Sequence, residues 1–319
     1  MPFGLHNAAQ TFQRFIDSVL RGLPFVVAYV DDLLIASRSA EEHEQHLRAV
    51  LDRLQQHGVI LNVRKCDFGA PSLEFLGHVV SKDSITPLPS KVKAVAEFPR
   101  PHTLPELRRF LGMINHYRHF IPQCANILRP LEATLTGTQP RLSPLDWSPQ
   151  AETSFNQAKN ALASAALLAH PRHNAPTVLM VDASDGAMGA ALHQSHSNTL
   201  QPLAFFSQKL SPAQANYSAF RKELLAAYTA VRHFLEGRRF TILTDHKPLT
   251  TAFTSASQKY SPREIRHLAP TTRLFLPEAQ PCTSKLQRFR KGALGGLHSR
   301  MPLPPLPGRK WRGRSVSQF

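Results

Sequence analysis

The sequence predicts a mixed α+β or α/β protein made of two successive segments. The chain has 319 residues, and domains usually hold roughly 150 residues, so about two domains are expected. Hydrophobic residues make up 42% and charged residues 19% of the chain, which is typical of globular proteins. Short β-rich runs alternate with stretches of helical period, which predicts sheets flanked by helices.

The first segment begins with a predicted hairpin. Residues 24–37 contain two short β-rich apolar runs that are separated by Asp31 and Asp32, so both aspartates are expected to face outward from the turn. A helix is expected after Ser39, whose spacing to Glu42 fits a capping box, and it should stop near Gly58. Residues 75–80 then predict a strand or a tight hairpin.

A small helical unit is predicted next. Thr103 and Glu106 fit a second capping box, and the helix that follows has one apolar stripe. Pro122 and Pro130 are expected to punctuate the chain after this helix. Residues 136–149 are rich in Gly, Pro, Ser and Thr, which predicts a linker between domains.

The second segment has the order helix, two or three strands, helix, strand, which predicts a mixed sheet with flanking helices. The expected helices are residues 151–168 and 220–235, and the expected strands are 177–181, 190–192, 203–206 and 240–243.

The charge distribution favours a polyanionic partner. The formal net charge is +16, but residues 281–319 hold nine basic and no acidic residues, which leaves +7 for the first 280. This Pro-rich basic tail is expected to be disordered and to bind phosphates without sequence preference. No apolar run is long enough to span a membrane, the start does not resemble a signal peptide, and three scattered cysteines favour an intracellular location.

Paired carboxylates suit a divalent metal. Asp31 and Asp32 lie next to each other at a strand turn, where hard cations such as Mg²⁺ find oxygen ligands. For a bare Asp-Asp pair, however, a solvated turn is the more common interpretation. The sequence around the pair therefore decides between the two interpretations.

The first segment resembles the reverse transcriptases of gypsy-type LTR retrotransposons. Tyr-Val-Asp-Asp at 29–32 is similar to the polymerase active-site hairpin, the first fourteen residues resemble the segment near the incoming nucleotide, and Phe-Leu-Gly-His at 75–78 resembles the primer-gripping turn. The resemblance implies a partial palm followed by a thumb-like helical unit. It implies Asp31 and Asp32 as catalytic metal ligands, and its implied nucleic-acid contacts are Gly4, Gln13, Tyr29, Gly77 and His78.

The second segment resembles the ribonuclease H domain of the same elements. The matching motifs are residues 177–184, 222–226 and 244–249, and they imply Asp182, Glu223 and Asp245 as catalytic metal ligands. The residues themselves agree, because two of these acids end apolar strands and the third lies early in a helix, so they can meet at one rim of a sheet. Two Mg²⁺ or Mn²⁺ ions there would activate a water for phosphodiester cleavage.

The combined resemblance predicts a fragment of an RNA-directed DNA polymerase with ribonuclease H, a Pol polyprotein segment that binds a template-primer or an RNA:DNA hybrid. The expected domains are a partial palm (1–80), a thumb-like unit (81–135), a linker (136–149), a ribonuclease H-like domain (150–268) and the tail (269–319). An alternative is a non-catalytic nucleic-acid-binding remnant, and a third is a host-adopted interaction protein.

Both sites are expected to lack one carboxylate of the family pattern. The only acid before Tyr29 is Asp17, which falls within a predicted helix, so the polymerase site should be incomplete. Asp245 is the last aspartate, so hybrid hydrolysis should be weak at best. A frameshift is our hypothesis for the change of composition after residue 268. The histidine pairs at 43/46 and 116/119 are expected on solvated helix faces.

Overall fold

The computed structural model describes residues 7–135, 144–172, 174–197, 199–234, 240–254 and 260–272. The tail after residue 272 and the residue Gly4 lie outside the described residues. The chain divides into two compact units, one containing the described residues up to Leu88 and the other those from Pro89 onward.

The first unit holds two helices and two small antiparallel sheets. Its elements are α1 (Ala8–Val19), β1 (Val26–Tyr29), β2 (Asp32–Ile35), α2 (Ala40–Gln56), β3 (Ser72–Phe75), β4 (His78–Ser81) and β5 (Ser84–Pro87). Strand β1 pairs with β2, and β4 pairs with both β3 and β5. The buried faces of α1 and α2, with Ile16, Val50 and Leu54, pack on the β1–β2 hairpin.

The predicted starts and stops in this unit are confirmed. Ser39 caps α2 by accepting a hydrogen bond from the Glu42 backbone N–H at 3.2 Å, and Gly58, at φ 68°, follows its C-terminus. The strand-or-hairpin prediction for 75–80 is resolved as a hairpin with a two-residue turn, Leu76 and Gly77. Both turn residues have positive φ (50° and 79°), as a type I′ turn requires.

The prediction of solvated histidines is wrong for His43 and His46. His43 is 6% exposed, and the Ser37 hydroxyl lies 3.0 Å from its Nδ1 and 2.8 Å from the Nδ1 of His46. The His46 ring also stacks on Phe25. Burial, followed by the neighbouring His46, lowers the pKa of His43. The helix face that carries this pair packs against the chain leaving β2, which the sequence pattern does not reveal.

The second unit is a four-stranded mixed sheet with helices. Its elements are α3 (Pro89–Ala96), α4 (Leu104–His116), α5 (Cys124–Ala133), α6 (Pro149–Ala163), β6 (Leu168–Ala169), β7 (Thr177–Ala183), β8 (Ala187–His196), β9 (Thr199–Lys209), α7 (Pro212–Ala215), α8 (Ala219–Phe234), β10 (Thr241–Leu243), α9 (Lys247–Thr254) and α10 (Pro262–Thr272). The strand order is β10-β7-β8-β9, antiparallel except for the parallel pair β10 and β7.

One apolar core joins α8 to the sheet. Leu179 and Leu192 from the strands pack with Leu224 and Val231 of α8, and all four side chains are at most 2% exposed. The helical unit that precedes the sheet also packs on it. The Arg118 guanidinium donates to the Ser207 carbonyl at 2.6 Å, and the Ala125 N–H donates to the Ser207 hydroxyl at 2.8 Å. Helix α5 is therefore attached to β9 by a hydrogen bond from Ala125, and Arg118 before the helix adds a second bond to the same residue, Ser207.

Three local predictions in this unit are wrong. Thr103 precedes α4 as expected, but its side chain makes no capping bond, and Glu106 accepts from the His102 N–H at 2.7 Å. Pro130 lies inside α5 rather than ending a helix. Its neighbours Leu128 and Leu131 are buried, and their packing stabilises the helix on both sides of the proline. Helix α6 ends at Ala163, earlier than predicted.

Of the helices within the described ranges, none is long and apolar enough to cross a membrane.

Candidate active site

Three carboxylates meet at one edge of the second unit's sheet. Asp182 lies near the end of β7, and Asp245 follows the end of β10 by two residues. Because β7 and β10 are parallel, their carboxyl ends reach the same edge. Glu223 comes from the first turns of α8. One carboxylate oxygen of each residue lies within 4.8 Å of the others, and in the described part of the chain this is the only such cluster of three.

The third ligand is held in place by the backbone of β7. The Ala183 N–H donates to Oε1 of Glu223 at 3.1 Å, which ties helix α8 to the strand beside Asp182. Glu223 is 5% exposed, whereas Asp182 and Asp245 are half-buried. Burial restricts the rotamers of Glu223, so the carboxylate is preorganised rather than recruited by a ligand.

The turn between β7 and β8 is fixed on two sides. The Ser184 hydroxyl donates to Oδ1 of Asn126 at 3.1 Å, from α5. On the other side, the Lys222 ammonium lies 2.8 Å from the carboxylate of Asp185, and this hydrogen bond lowers the pKa of Asp185. The turn after Asp182 is therefore positioned by residues from both α5 and α8.

Glu264 does not join the cluster. Its carboxylate accepts from Arg221 Nε at 2.9 Å and from the Ser261 N–H at 2.6 Å, and its side chain is only 13% exposed. These hydrogen bonds, that of Arg221 foremost, lower the pKa of Glu264 to about 2. Glu264 thus attaches α10 to α8 instead of serving as a further metal ligand.

Replacing Glu264 with glutamine is expected to lower the free energy of unfolding by only about 1 kcal/mol at neutral pH. The effect is small because Arg221 is half-exposed, so water screens its attraction to Glu264. The folded-state pKa is depressed, so this stability is present above pH 4.5 and disappears as the pH falls to about 2. Urea unfolding at several pH values measures it. Glu152→Gln, which removes a half-exposed pair with Arg100 at 3.7 Å, should change little, and a pH-independent loss in Glu264→Gln would contradict the prediction.

The first unit carries the other predicted carboxylates at the tip of the β1–β2 hairpin. Asp31 and Asp32 are both exposed, which confirms that they face outward. Asp31 lies in the turn and Asp32 opens β2, opposite Tyr29. Within described residues 7–88, no third acid completes a cluster with them. The predicted helical position of Asp17 in α1 is confirmed.

Gln13 holds this hairpin rather than facing solvent. Its Oε1 accepts from the Val30 N–H at 2.7 Å, and its Nε2 donates to the Ala28 carbonyl at 3.1 Å. Tyr29 is 54% exposed beside the aspartates. The roles in nucleic-acid binding that the resemblance implied for Gln13, Tyr29, Gly77 and His78 stay predictions.

The hairpin turn has a residue in a strained conformation. Val30 has φ 50°, which β-branched residues rarely adopt, and a positive φ at the first turn position is the type II′ pattern that favours glycine. Val30→Gly is therefore expected to raise the free energy of unfolding of this unit by about 1 kcal/mol. Urea unfolding tests this. Val27→Gly, within β1, should destabilise instead, and a destabilised Val30→Gly variant would refute the argument.

The donor set of the three-acid cluster fits divalent cations. All three ligands are carboxylates, the oxygen donors that hard ions such as Mg²⁺ and Mn²⁺ prefer. Their negative charges lie within 4.8 Å of one another, and such charges repel unless a cation lies between them. Asp182, Glu223 and Asp245 are therefore the residues that would hold a metal.

Family models match both units of the chain. Residues 1–80 match "Reverse transcriptase (RNA-dependent DNA polymerase)", and residues 147–242 match "RNase H-like domain found in reverse transcriptase". The chain therefore joins a reverse transcriptase segment to a ribonuclease H-like domain. Over most of its length the chain is homologous to retrotransposon Pol polyproteins.

Relatives from two organisms support this assignment. The chain is 37% identical over 265 residues to the retrovirus-related Pol polyprotein from transposon opus of Drosophila melanogaster, covering 79% of this chain and 26% of the relative. It is 35% identical over 274 residues to the transposon Tf2-3 polyprotein of Schizosaccharomyces pombe, covering 83% and 20%. The chain thus spans about a quarter or less of these relatives.

Solved structures share the fold. A foamy viral protease-reverse transcriptase in complex with double-stranded DNA superposes with a TM-score of 0.71 at 18% identity, covering 86% of this chain and 49% of that one. The same protein type in complex with an RNA/DNA hybrid gives a TM-score of 0.68 at 20% identity, covering 84% and 37%. At these identities the likeness supports the mixed fold alone.

Two neighbours of the site were missed by the sequence analysis. Gln123 and Asn126, at the start of α5, line a pocket that also contains Asp182. Amide side chains on a helix resemble ordinary solvated residues in sequence, and the pairing of α5 with β9 brings together positions more than eighty residues apart. No local pattern signals this.

Proposed function

We propose that the ribonuclease H-like unit hydrolyses the RNA strand of RNA:DNA hybrids with the help of Mg²⁺ or Mn²⁺. The observation that carries the proposal is the convergence of Asp182, Glu223 and Asp245 within 4.8 Å, from two parallel strand ends and one helix. The match of this chain to an RNase H-like domain found in reverse transcriptase, its likeness to a retrovirus-related Pol polyprotein and a structural neighbour in complex with an RNA/DNA hybrid support this substrate. The enzyme would meet such hybrids inside the cell.

The residues have separate tasks in this reaction. Glu223 is fixed by the Ala183 N–H, so it sets the position of the ligand cluster relative to β7. Asp182 and Asp245 are half-buried, so their carboxylates could reach an ion that in turn contacts the substrate phosphate. Bound divalent ions supply an activated water and stabilise the leaving oxygen of the phosphodiester. With three carboxylates in the cluster, we expect slow turnover.

The β1–β2 hairpin supports a second proposal for the reverse transcriptase segment. Asp31 and Asp32 lie exposed at its tip, and Gln13 holds the turn that presents them. We propose that this pair contributes metal ligands for RNA-directed DNA synthesis in the Pol polyprotein. A template-primer would be the matching partner.

Hybrid cleavage tests the nuclease proposal. The full chain is incubated with an end-labelled RNA:DNA hybrid and Mg²⁺ or Mn²⁺, with and without EDTA. Metal-dependent cutting of the RNA strand, with the DNA strand intact, is expected. Retained hybrid binding with no cutting in either metal would favour a non-catalytic nucleic-acid-binding remnant instead.

A further inference from the structure

A small pocket of mixed character lies beside the carboxylate cluster, and its apolar walls are Ala187, Met188, Gly189 and Ala190. Asp182 is one of its walls, and the other polar walls are Gln123 and Asn126 from the start of α5, Ser184 from the β7–β8 turn and Ser207 from β9. Among the described residues that line it, Asp182 is the only charged one. A substrate strand bound at Asp182 therefore has uncharged polar groups and apolar walls next to it.

The chemistry of this pocket suits a hydroxyl better than a phosphate. Phosphate sites are built from Arg, Lys or several backbone N–H groups, whereas two carboxamides provide both donors and acceptors. The two serine hydroxyls already bond within the protein, to Ala187 and Ala125. The ribose 2′-hydroxyl is both a donor and an acceptor, and it is the group that distinguishes RNA from DNA. Of the sugar and phosphate groups in a hybrid, this hydroxyl matches the pocket.

Side-chain bonds leave amide groups available in the pocket. Oδ1 of Asn126 accepts from Ser184 at 3.1 Å, which leaves its Nδ2 group as a donor. Across the described ranges, neither that Nδ2 group nor the Gln123 carboxamide makes a side-chain hydrogen bond. Both residues are half-buried, so a ligand hydroxyl would replace only part of their contact with water.

The backbone holds these amides in place. Gln123 has φ 52°, a left-handed conformation that is uncommon for a residue other than glycine. The next turn of α5 is attached to the sheet, because the Ala125 N–H donates to the Ser207 hydroxyl at 2.8 Å. The two amides are therefore placed by the same sheet that carries Asp182.

We propose that Gln123 and Asn126 determine sugar specificity by binding the 2′-hydroxyl of a ribonucleotide beside the scissile phosphate. The inference rests on the proposed function for the location of the scissile phosphate. It adds that residues from the helical unit, outside the segment 147–242 matched by the nuclease model, select RNA over DNA. Gln123 and Asn126 are specificity residues, and hydrolysis itself needs the carboxylates.

Binding rather than cleavage tests this proposal. The affinity of the full chain is measured by fluorescence anisotropy, without divalent metal, for an RNA:DNA hybrid and for a DNA duplex of the same sequence. The parent chain is expected to favour the hybrid. Gln123→Gly, which tolerates the positive φ, and Asn126→Ala should each reduce this preference about fivefold, the value of one neutral hydrogen bond, with DNA duplex affinity unchanged.

Gln208→Ala is the matched control. Gln208 follows Ser207 on β9, so its exposed side chain lies on the opposite face of the sheet, and its removal should leave the preference unchanged. Thermal melting verifies the fold of each variant, and if Asn126→Ala is destabilised through loss of its Ser184 bond, Gln123→Gly decides. The proposal is overturned if the parent shows no hybrid preference, or if the folded variants keep it.

The outcome is separable from that of the nuclease proposal. Loss of preference in the variants without any cleavage by the parent would support sugar recognition and refute hydrolysis. Metal-dependent cleavage by the parent, with an unchanged preference for the hybrid in both variants, would support hydrolysis and refute sugar recognition by Gln123 and Asn126.

Discussion

Replacing Asp182 with asparagine is expected to slow metal-dependent hybrid cleavage at least about a thousandfold, because metal stabilisation of developing charge contributes several kcal/mol. The substitution keeps the shape of the side chain but removes one of three charges that lie within 4.8 Å of one another. The initial rate of RNA-strand cleavage is the measurement. Unaltered cleavage would remove Asp182 from the site and with it the nuclease proposal.

Asp185→Asn makes the same chemical change three residues along the chain. Asp185 is fully exposed and pairs with Lys222 at 2.8 Å, not with the cluster. Its rate of cleavage should stay within about threefold of the parent, since an ion pair with a fully exposed partner is screened by water and contributes little. An equal loss in both variants would indicate damage to the β7–β8 turn rather than loss of a metal ligand.

Metal binding is detectable without catalysis. A ligand that binds only the folded state, at about 100 times its Kd, raises the free energy of unfolding by about 2.7 kcal/mol. Mn²⁺ should therefore raise the melting temperature of the parent and have a much smaller effect on Asp182→Asn. An identical rise in both proteins would place the ion elsewhere.

Replacing Phe120 with alanine is expected to lower the free energy of unfolding of the second unit by about 3 to 5 kcal/mol. Phe120 is 0% exposed and lies two residues after Arg118, whose guanidinium bonds to β9. The loss is a large share of a typical domain stability of about 5 to 15 kcal/mol. Urea unfolding measures it, and faster hydrogen exchange in β8 and β9 would show that the sheet depends on the helical unit.

Arg109→Ala is the control for this prediction. Arg109 is exposed on the neighbouring helix α4, so its removal should change the free energy of unfolding by less than about 0.5 kcal/mol. A different result would contradict the prediction. If Phe120→Ala unfolds the helices in a separate transition while β8 and β9 keep their protection from hydrogen exchange, the helical unit and the sheet unfold independently.

Much of the local structure is readable from the sequence because its signals are local. The alternation and apolar runs of residues 177–206 predict strands that the structure extends to Thr177–Ala183, Ala187–His196 and Thr199–Lys209. Ser39 and Gly58 mark the ends of α2 as expected. The predicted order of elements in the second unit and the mixed fold are also confirmed, because both follow from these local signals.

The errors arise where a specific side-chain contact competes with a general local preference. The Thr103 cap is displaced by a bond from Glu106 to the His102 backbone, and Pro130 is accommodated within α5. His43 and His46 share the Ser37 hydroxyl instead of facing water. For the polar residues, the deciding partner lies only four to nine residues away, but the capping and spacing rules do not take it into account.

The sequence by itself determined the identity of the acids and their attachment to two strand ends and one helix, since hydrophobic period and carboxylate position are properties of neighbouring residues. The sequence also predicted that these acids meet at one rim of a sheet, but only the tertiary structure gave their separation, with oxygens within 4.8 Å of one another, and placed amides from α5 beside Asp182. Strand pairing between β7 and β10 and the docking of α5 on β9 join residues far apart in the chain. Such long-range contacts are selected by the packing of the whole core, which no short pattern encodes.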